Sequence, residues 1–251
     1  YFAGHGASKS TGSIVTPDRS GFDYGVTMPE ILALANRSKS KNKVIILDCC
    51  FSGKLGEIGS AESKDAYIGE GVTIMTASDR DETASEDGIT GHGVFTELLI
   101  QGLKGGAADI GGNITPASLY SFIDQSLGPW EQRPLFKTNI SRFLPIRQID
   151  PKVPRSIMRK LSSYFKDPNQ ELLLNPSFEF TNNPRIEHKY IEPFAVEANV
   201  RIFKDLQLFE SAGLVEPVGE EHMYFAAMNN KSCRLTPLGL HYWKLSKDKR
   251  F

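Results

Sequence analysis

Two short, unbroken apolar runs stand out in the first half of the chain. Residues 44–47 read Val-Ile-Ile-Leu, and residues 72–76 read Val-Thr-Ile-Met-Thr. Continuous runs of four or five mostly β-branched residues are typical of parallel strands that are covered on both faces. Apolar residues at helical spacing predict helices over 28–35 and 94–103, and a third that begins after a Thr115 cap. Because strands and helices alternate, we expect an α/β sandwich with a mainly parallel sheet.

The regular pattern breaks off after residue 147. Six prolines then punctuate a stretch of weak periodicity: Pro151, Pro154, Pro168, Pro176, Pro184 and Pro193. Such punctuation favours irregular structure over helix or strand. We therefore predict an α/β domain over residues 1–147 and a Pro-rich connector over residues 148–195.

Regular periodicity returns in the last part of the chain, residues 196–251. Apolar spacing from Val200 to Leu208 predicts an amphipathic helix. Strands are predicted at Leu214–Val215 and Met223–Met228. The segment Leu235-Thr236-Pro237-Leu238-Gly239 is predicted to start a final helix that runs through Trp243. This order of a helix, a hairpin and a second helix resembles a winged-helix module.

Composition and charge narrow the possible functions. The chain of 251 residues has a formal net charge of −1, with 24% charged and 40% hydrophobic residues. These values are ordinary for a globular protein and disfavour a general nucleic-acid binder. Positive and negative residues are also nearly balanced after Val200, which favours protein contact over DNA reading. No apolar run reaches the length of a membrane span.

The cysteines are few and are placed unlike a disulfide framework. Cys49 and Cys50 are neighbours, and Cys233 lies far away in the chain. This usage suits a reducing compartment, so we expect a cytoplasmic protein. No Cys/His group has the spacing of zinc ligands, and we expect no metal site of that kind.

Candidate chemistry lies at two predicted strand ends. His5 ends one strand and is followed by Gly6, while Cys50 follows the buried run 44–47. Because the carboxyl ends of parallel strands meet at one edge of a sheet, the two side chains can be neighbours. A cysteine thiolate is the nucleophile, and a nearby imidazole lowers the pKa of the thiol or transfers a proton to the leaving amine. The N–H groups of Gly6 and Cys50 are natural oxyanion donors, and Gly6 lacks a Cβ that would keep a substrate away.

The segment Asp48-Cys49-Cys50-Phe51-Ser52-Gly53 resembles the metacaspase pattern Asp-x-Cys-His-Ser-Gly, with Phe51 in place of the usual His. Together with His5-Gly6, it resembles the caspase and metacaspase family of cysteine peptidases. The resemblance implies that Cys50 is the nucleophile. Because neighbours on a strand face opposite sides, Cys49 is expected to point into the core.

The resemblance covers residues 1–147 and implies a caspase-like fold. Residues 132–136, Gln-Arg-Pro-Leu-Phe, are similar to the approach to the family's last strand, which we predict near Ser141–Leu144. The first strands and helix of that fold have no counterpart in the sequence. We therefore expect residues upstream of Tyr1 to complete the sheet. The tail from residue 148 lies outside the family pattern.

The resemblance also implies a substrate class. In the metacaspase pattern, the residue two before the nucleophile is an Asp that lines the S1 pocket. Asp48 holds that position and would meet an Arg or Lys of the substrate, although it could instead cap a turn at the strand end. Some metacaspases need calcium, for which the nearest carboxylates are Glu57, Glu62, Asp65 and Glu70. They lack the dense Asp spacing of calcium sites, so we expect no cofactor.

The leading hypothesis is a cysteine endopeptidase that cleaves proteins or peptides after Arg or Lys and is regulated by its tail, through which it could bind a partner protein. One alternative is a catalytically inactive caspase-like scaffold that signals through contacts. The retention of both His5 and Cys50 argues against it. Another alternative is a nucleic-acid-binding regulator that acts through the C-terminal winged-helix-like module, which the balance of charges after Val200 disfavours. We expect neither a membrane nor a nucleic acid as partner.

Overall fold

A computed structural model gives the three-dimensional structure of the chain. It describes residues 1–7, 12–21, 23–49, 67–77, 93–128, 133–186 and 191–250, without the side chains of residues 19, 23 and 24. Within these ranges the chain divides into two units, Tyr1–Ile149 and Asp150–Phe251.

Twelve elements follow one another in the described part of the first unit. They are β1 (Phe2–Ala3), β2 (Gly6–Ala7), β3 (Ser13–Ser20), β4 (Asp23–Thr27), α1 (Met28–Arg37), β5 (Lys43–Asp48), β6 (Val72–Thr76), α2 (Val94–Gln101), β7 (Asn113–Ile114), α3 (Pro116–Ser126), β8 (Leu135–Asn139) and β9 (Arg147–Gln148). A π-helical turn, Gly102–Gly106, continues α2.

The central sheet has the strand order β1-β5-β6-β8. The first three strands run parallel, with Phe2 opposite Leu47 and Lys43 opposite Val72. Strand β8 is antiparallel to β6. The prediction of a mainly parallel sheet is therefore confirmed for these strands. The last strand lies at β8, several residues before its predicted position near Ser141, where the chain instead bends.

Apolar side chains leave this sheet on both faces. On one face Leu47, Val72 and Ile74 pack with Met28 and Leu32 of α1. The other face carries a second buried cluster with residues from α2 and α3: Ile46, Met75, Ala77, Phe95, Leu99, Ala107, Ile114, Leu119 and Ile123. Both apolar runs are thus covered on two sides, as their composition predicts.

Local signals explain where the helices on these faces begin. The side chain of Thr115 accepts a hydrogen bond from the Ser118 N–H at 3.1 Å, and Pro116 occupies the first turn of α3. Thr27 and Glu30 form the equivalent capping box at the start of α1. A Thr cap satisfies an N–H that has no partner inside the helix, which confirms the predicted Thr115 cap.

A second sheet, of order β2-β3-β4, lies in the first unit and was not predicted. Strand β2 begins one residue after His5 and pairs antiparallel with β3, with Gly6 opposite Ile14. Strands β3 and β4 also pair antiparallel, with an irregular register between Val15 and Ser20. The sequence of β3 contains Pro17 and no long apolar run, so its pattern gives little strand signal.

The second unit is described in residues 150–186 and 191–250. Its elements are α4 (Arg155–Met158), α5 (Leu161–Tyr164), β10 (Leu172–Leu173), a 3₁₀ turn (Pro176–Phe178), α6 (Glu197–Ser211), β11 (Val215–Val218), α7 (Met223–Met228), β12 (Ser232–Leu235) and α8 (Pro237–Lys247). The three strands form an antiparallel sheet of order β10-β12-β11.

The described part of the predicted connector, from Asp150 onward, packs inside the second unit rather than linking two bodies. Phe165 is fully buried, and its carbonyl accepts a hydrogen bond from Trp243 Nε1 at 2.7 Å. Leu172 in β10 pairs with Cys233 in β12. Prolines such as Pro154 precede short helices here, a position in which proline is tolerated, so they do not mark a linker.

The predicted strand Met223–Met228 is helix α7. Met223, Ala226 and Ala227 are buried together, which is the spacing of a helix face rather than of a strand. A short apolar run in the sequence does not by itself show whether the segment forms a helix or a strand. Strands β11 and β12 do pair antiparallel, with α7 between them in the chain. The winged-helix-like assignment stays a prediction.

Candidate functional site

Strands β1 and β5, which lead to the site candidates His5 and Asp48, end side by side. Ala3 pairs with Asp48, and the Gly4 N–H donates to the Asp48 carbonyl at 3.0 Å. His5 follows directly after Gly4, so it leaves the sheet at the edge where the chain leaves β5. Cys50 lies outside the described residues. The pairing of His5 with Cys50 therefore stays a prediction.

His5 combines a fixed backbone with an exposed position. Its carbonyl accepts a hydrogen bond from the Val15 N–H at 2.9 Å, and its neighbour Gly4 is bonded to β5. The residue itself is exposed. A side chain that exchanges protons with a substrate needs this combination of fixed attachment and access.

The ladder between β2 and β3 determines the direction of the Gly6 N–H. Opposite residues of an antiparallel pair alternate between hydrogen-bonded and non-hydrogen-bonded. Since Val15 donates to the His5 carbonyl, His5 and Val15 are a bonded pair. Gly6 and Ile14, the next pair, are then non-bonded. The Gly6 N–H is consequently directed away from β3, as a donor to a bound substrate would have to be.

Asp48 carries a buried carboxylate at the end of β5, with 7% of the residue exposed. The Thr96 hydroxyl donates to Asp48 Oδ2, and Tyr1 Oη lies 2.5 Å from Thr96 Oγ1. A Cβ at position 93 would lie 2.9 Å from the same carboxylate oxygen. The carboxylate therefore lies at the first turn of α2, where the helix dipole favours negative charge.

No cation neutralises this carboxylate within the described residues. The ion pairs found there join other side chains: Arg133 with Asp124, Lys160 with Asp205, Arg201 with Glu197 and Arg234 with Glu216. The side-chain partner described for Asp48 is Thr96, far along the chain. A local turn cap, the alternative that the sequence left open, would need backbone donors from residue 50 onward, which lie outside the described residues.

Cys49 lies on the opposite face of the strand from Asp48. It is 1% exposed and belongs to the cluster of Leu47, Met28 and Leu32 beneath α1. The expectation that Cys49 points into the core is thus confirmed, and it follows from the alternation of side chains along β5.

Most of the remaining predicted site lies in ranges that the structure does not describe. Phe51, Ser52 and Gly53 belong there, as do the calcium candidates Glu57, Glu62 and Asp65. Glu70 is described: it is exposed, and its carbonyl accepts a bond from Lys43 Nζ at 3.0 Å. Among the described residues no three His, Cys, Asp or Glu side chains come together as a metal site.

Sequence reasoning missed three residues around Asp48, namely Tyr1, Gly93 and Thr96. A weak signal existed for Thr96, which is a polar residue between buried Phe95 and buried Leu99 on the apolar side of α2. A buried hydroxyl needs a partner, and the partner is the Asp48 carboxylate. Neither Tyr1 nor Gly93 carries a local pattern that would have linked it to Asp48.

Comparison with known proteins gives one family match. The profile of the caspase domain matches residues 1–142. Among solved structures, the crystal structure of caspase-1 from Spodoptera frugiperda is similar at 16% identity and a TM-score of 0.30. That likeness covers 43% of this chain and 46% of the caspase-1 chain, so less than half of that protein is spanned. No curated protein matches the chain at a significant level. In the described ranges, no helix has the length and apolar content needed to cross a membrane.

Proposed function

The chain belongs to the caspase domain family of cysteine peptidases, and we propose that it hydrolyses peptide bonds after arginine or lysine through the pair His5 and Cys50. The observation that carries the choice of substrate is the environment of Asp48. Its carboxylate is buried at the end of β5, two residues before Cys50, with a hydroxyl partner and no cation among the described residues.

The proposed reaction has two steps. The Cys50 thiolate attacks the carbonyl carbon of the scissile bond, and the His5 imidazolium delivers its proton to the leaving amine, which leaves a neutral imidazole. A water molecule, deprotonated by His5, then attacks the resulting thioester and releases the carboxylic acid and the Cys50 thiol. The N–H groups of Gly6 and Cys50 donate to the oxyanion in both tetrahedral intermediates.

Two features of the described residues support these roles for His5 and Gly6. The His5 backbone is held by β3 through Val15, while the residue stays exposed. The alternation of the β2–β3 ladder directs the Gly6 N–H away from its neighbouring strand. A donor that is already oriented costs no reorganisation when charge develops on the substrate.

The charge of Asp48 supports the proposed specificity. A buried carboxylate without a counter-ion is costly, and a guanidinium or ammonium group of the substrate relieves that cost. A substrate Asp at the same place would bring two carboxylates together, which opposes binding. Arg is expected to exceed Lys because its planar fork matches a carboxylate.

The test is a comparison of kcat/KM on matched fluorogenic peptides that end in Arg, Lys, Asp or Ala before the scissile bond, with and without calcium. We expect Arg to be cleaved fastest, then Lys, with Asp and Ala far behind. Cys50→Ala serves as the inactive control, and loss of the signal in that variant assigns the activity to this chain. Faster cleavage after Asp than after Arg would contradict the proposed specificity. If none of the four peptides is cleaved, the peptidase assignment itself fails.

A further inference from the structure

Thr96 lies between two polar side chains from distant parts of the first unit. It is 8% exposed and stands in the first turn of α2. Its Oγ1 contacts Asp48 Oδ2 and lies 2.5 Å from Tyr1 Oη. An ionised carboxylate can only accept, so the single hydroxyl proton of Thr96 goes to Asp48. The contact with Tyr1 must then have the Tyr1 hydroxyl as its donor.

We propose that Thr96 is a specificity-positioning residue, which holds Asp48 Oδ2 so that the plane of the carboxylate is fixed towards a basic substrate side chain. This inference rests on the proposed function, because it concerns how the carboxylate that selects Arg or Lys is oriented. The Tyr1 hydroxyl is the outer donor of the same hydrogen-bond series, which runs from Tyr1 through Thr96 to Asp48. Through these hydrogen bonds, α2 positions the Asp48 side chain of β5.

Gly93 contributes to the same arrangement by having no side chain. A Cβ there would lie 2.9 Å from Asp48 Oδ2 and 3.3 Å from Oδ1. Any larger residue at position 93 would press on both oxygens and turn the carboxylate away from the Thr96 hydroxyl. The N-cap of α2 is therefore shaped around the Asp48 carboxylate.

Fixing the carboxylate plane has a consequence for the choice between two basic residues. A guanidinium is a rigid planar fork whose bonds depend on the orientation of its partner, whereas an ammonium is a rotationally indifferent point charge. A held carboxylate consequently favours Arg over Lys. A carboxylate that is free to rotate retains its charge but loses most of that preference.

The first test replaces Thr96 by Val, which keeps the shape and removes the hydroxyl. Thr96→Val is expected to lower kcat/KM for the Arg peptide by about tenfold, the size of one lost charge-assisted hydrogen bond. The loss should fall mainly on KM, since bound substrate and transition state share this contact. The Lys peptide should lose less, so the Arg-to-Lys ratio falls. Thr96→Ser should restore the ratio.

Thr73 provides a matched control in the same unit. It is 1% exposed, and its Oγ1 lies 2.9 Å from Thr138 Oγ1 between β6 and β8. Thr73→Val removes a buried threonine hydroxyl bond elsewhere in the sheet. It should lower stability without changing the Arg-to-Lys ratio. If Thr96→Val gives too little folded protein, Thr96→Ala removes the same hydroxyl.

A second readout needs no peptidase activity. Urea unfolding midpoints of the full chain are compared for Thr96→Val, Asp48→Ala and the double variant, because alanine at position 48 removes the acceptor of the Thr96 hydroxyl. Residues in contact are non-additive, so the double variant should shift the midpoint by less than the sum of the two single shifts. Additive shifts would overturn the proposed contact.

The two readouts separate the failure of this inference from the failure of the proposed function. An unchanged Arg-to-Lys ratio in an otherwise active Thr96→Val enzyme would overturn the positioning role alone. A wild-type chain that does not cleave after basic residues would overturn both, even if the coupling between Thr96 and Asp48 is measured.

Discussion

Replacing Asp48 by Asn removes one charge from the candidate site and little else. The Asn side chain has the same shape, and its oxygen can still accept the hydrogen bond from the Thr96 hydroxyl. Asp48 makes no ion pair among the described residues, so no cation there is left without its partner. The change therefore isolates the negative charge that the proposed specificity requires.

The size of the effect follows from the burial of this position. With Asp48 only 7% exposed, a bound guanidinium would be largely shielded from water. A hydrogen bond to a charged group contributes about 1.5–3 kcal/mol, and each 1.36 kcal/mol is tenfold in rate. Asp48→Asn should thus lower kcat/KM for Arg and Lys peptides by about ten- to 150-fold. Cleavage after Ala should change little, because no charge is involved.

The assay compares kcat/KM on the four matched peptides for the wild type and for Asp48→Asn. Asp205→Asn is the control, since Asp205 is also a buried carboxylate, 8% exposed, which accepts from Tyr164 Oη at 2.6 Å and Lys160 Nζ at 2.8 Å. It lies in the second unit and should affect stability but not peptide preference. Equal losses for Arg and Ala peptides in Asp48→Asn would refute the role of this charge.

Three further results are expected. Cys50→Ala should abolish cleavage, and full activity in that variant would refute the assignment of the nucleophile. Cys49→Ala should retain cleavage, but its free energy of unfolding should fall by about 1–2 kcal/mol because Cys49 fills the core beneath α1. Burial, together with the nearby carboxylates Glu210 and Glu171, raises the pKa of Cys233 to about 12. At pH 8 the Cys233 thiol should therefore react with a thiol reagent only after the protein unfolds. Rapid labelling of Cys233 in the native protein would contradict this expectation. Finally, a fragment of residues 150–251 should show cooperative unfolding by circular dichroism while 196–251 should not, because the predicted connector is packed into the second unit; a cooperative 196–251 fragment would restore the predicted boundary.

The sheet of the first unit was predictable because its strands carry strong local signals. The runs 44–47 and 72–76 are too apolar and too short for surface helices, and they became β5 and β6 with helices on both faces. Thr115 and Pro116 placed the start of α3 correctly because caps act over only three or four residues. The hairpin β3–β4 gave no comparable signal, since it is held by pairing between strands rather than by a buried apolar run.

The second unit shows where periodicity does not decide the structure. Proline-rich sequence predicted a connector, yet Leu161 and Phe165 are fully buried in this unit. Burial of that kind depends on residues such as Trp243, which is distant in the chain. The apolar run Met223–Met228 is compatible with either a helix or a strand, and its tertiary contacts determine that it is a helix.

The candidate site divides in the same way. His5, Cys50 and Asp48 are predicted because two short motifs and their place at strand ends point to one chemistry, and their shared role stays a prediction. The contact of Thr96 with Asp48 could not be predicted in this manner, since it depends on α2 packing against the end of β5. A residue that acts by holding another is defined by tertiary contact and leaves no motif in the sequence.

The central claim, that Cys50 is the nucleophile of a peptidase selective for basic residues, is tested most directly by covalent labelling. The wild-type chain is treated with a peptidyl chloromethyl ketone that ends in Arg, and the labelled site is located by peptide mass spectrometry. We expect one label, on the Cys50 sulfur, with little reaction of a matched reagent that ends in Asp and little in His5→Ala. A label on Cys49 or Cys233 instead, or equal labelling by the Asp reagent, would contradict the account.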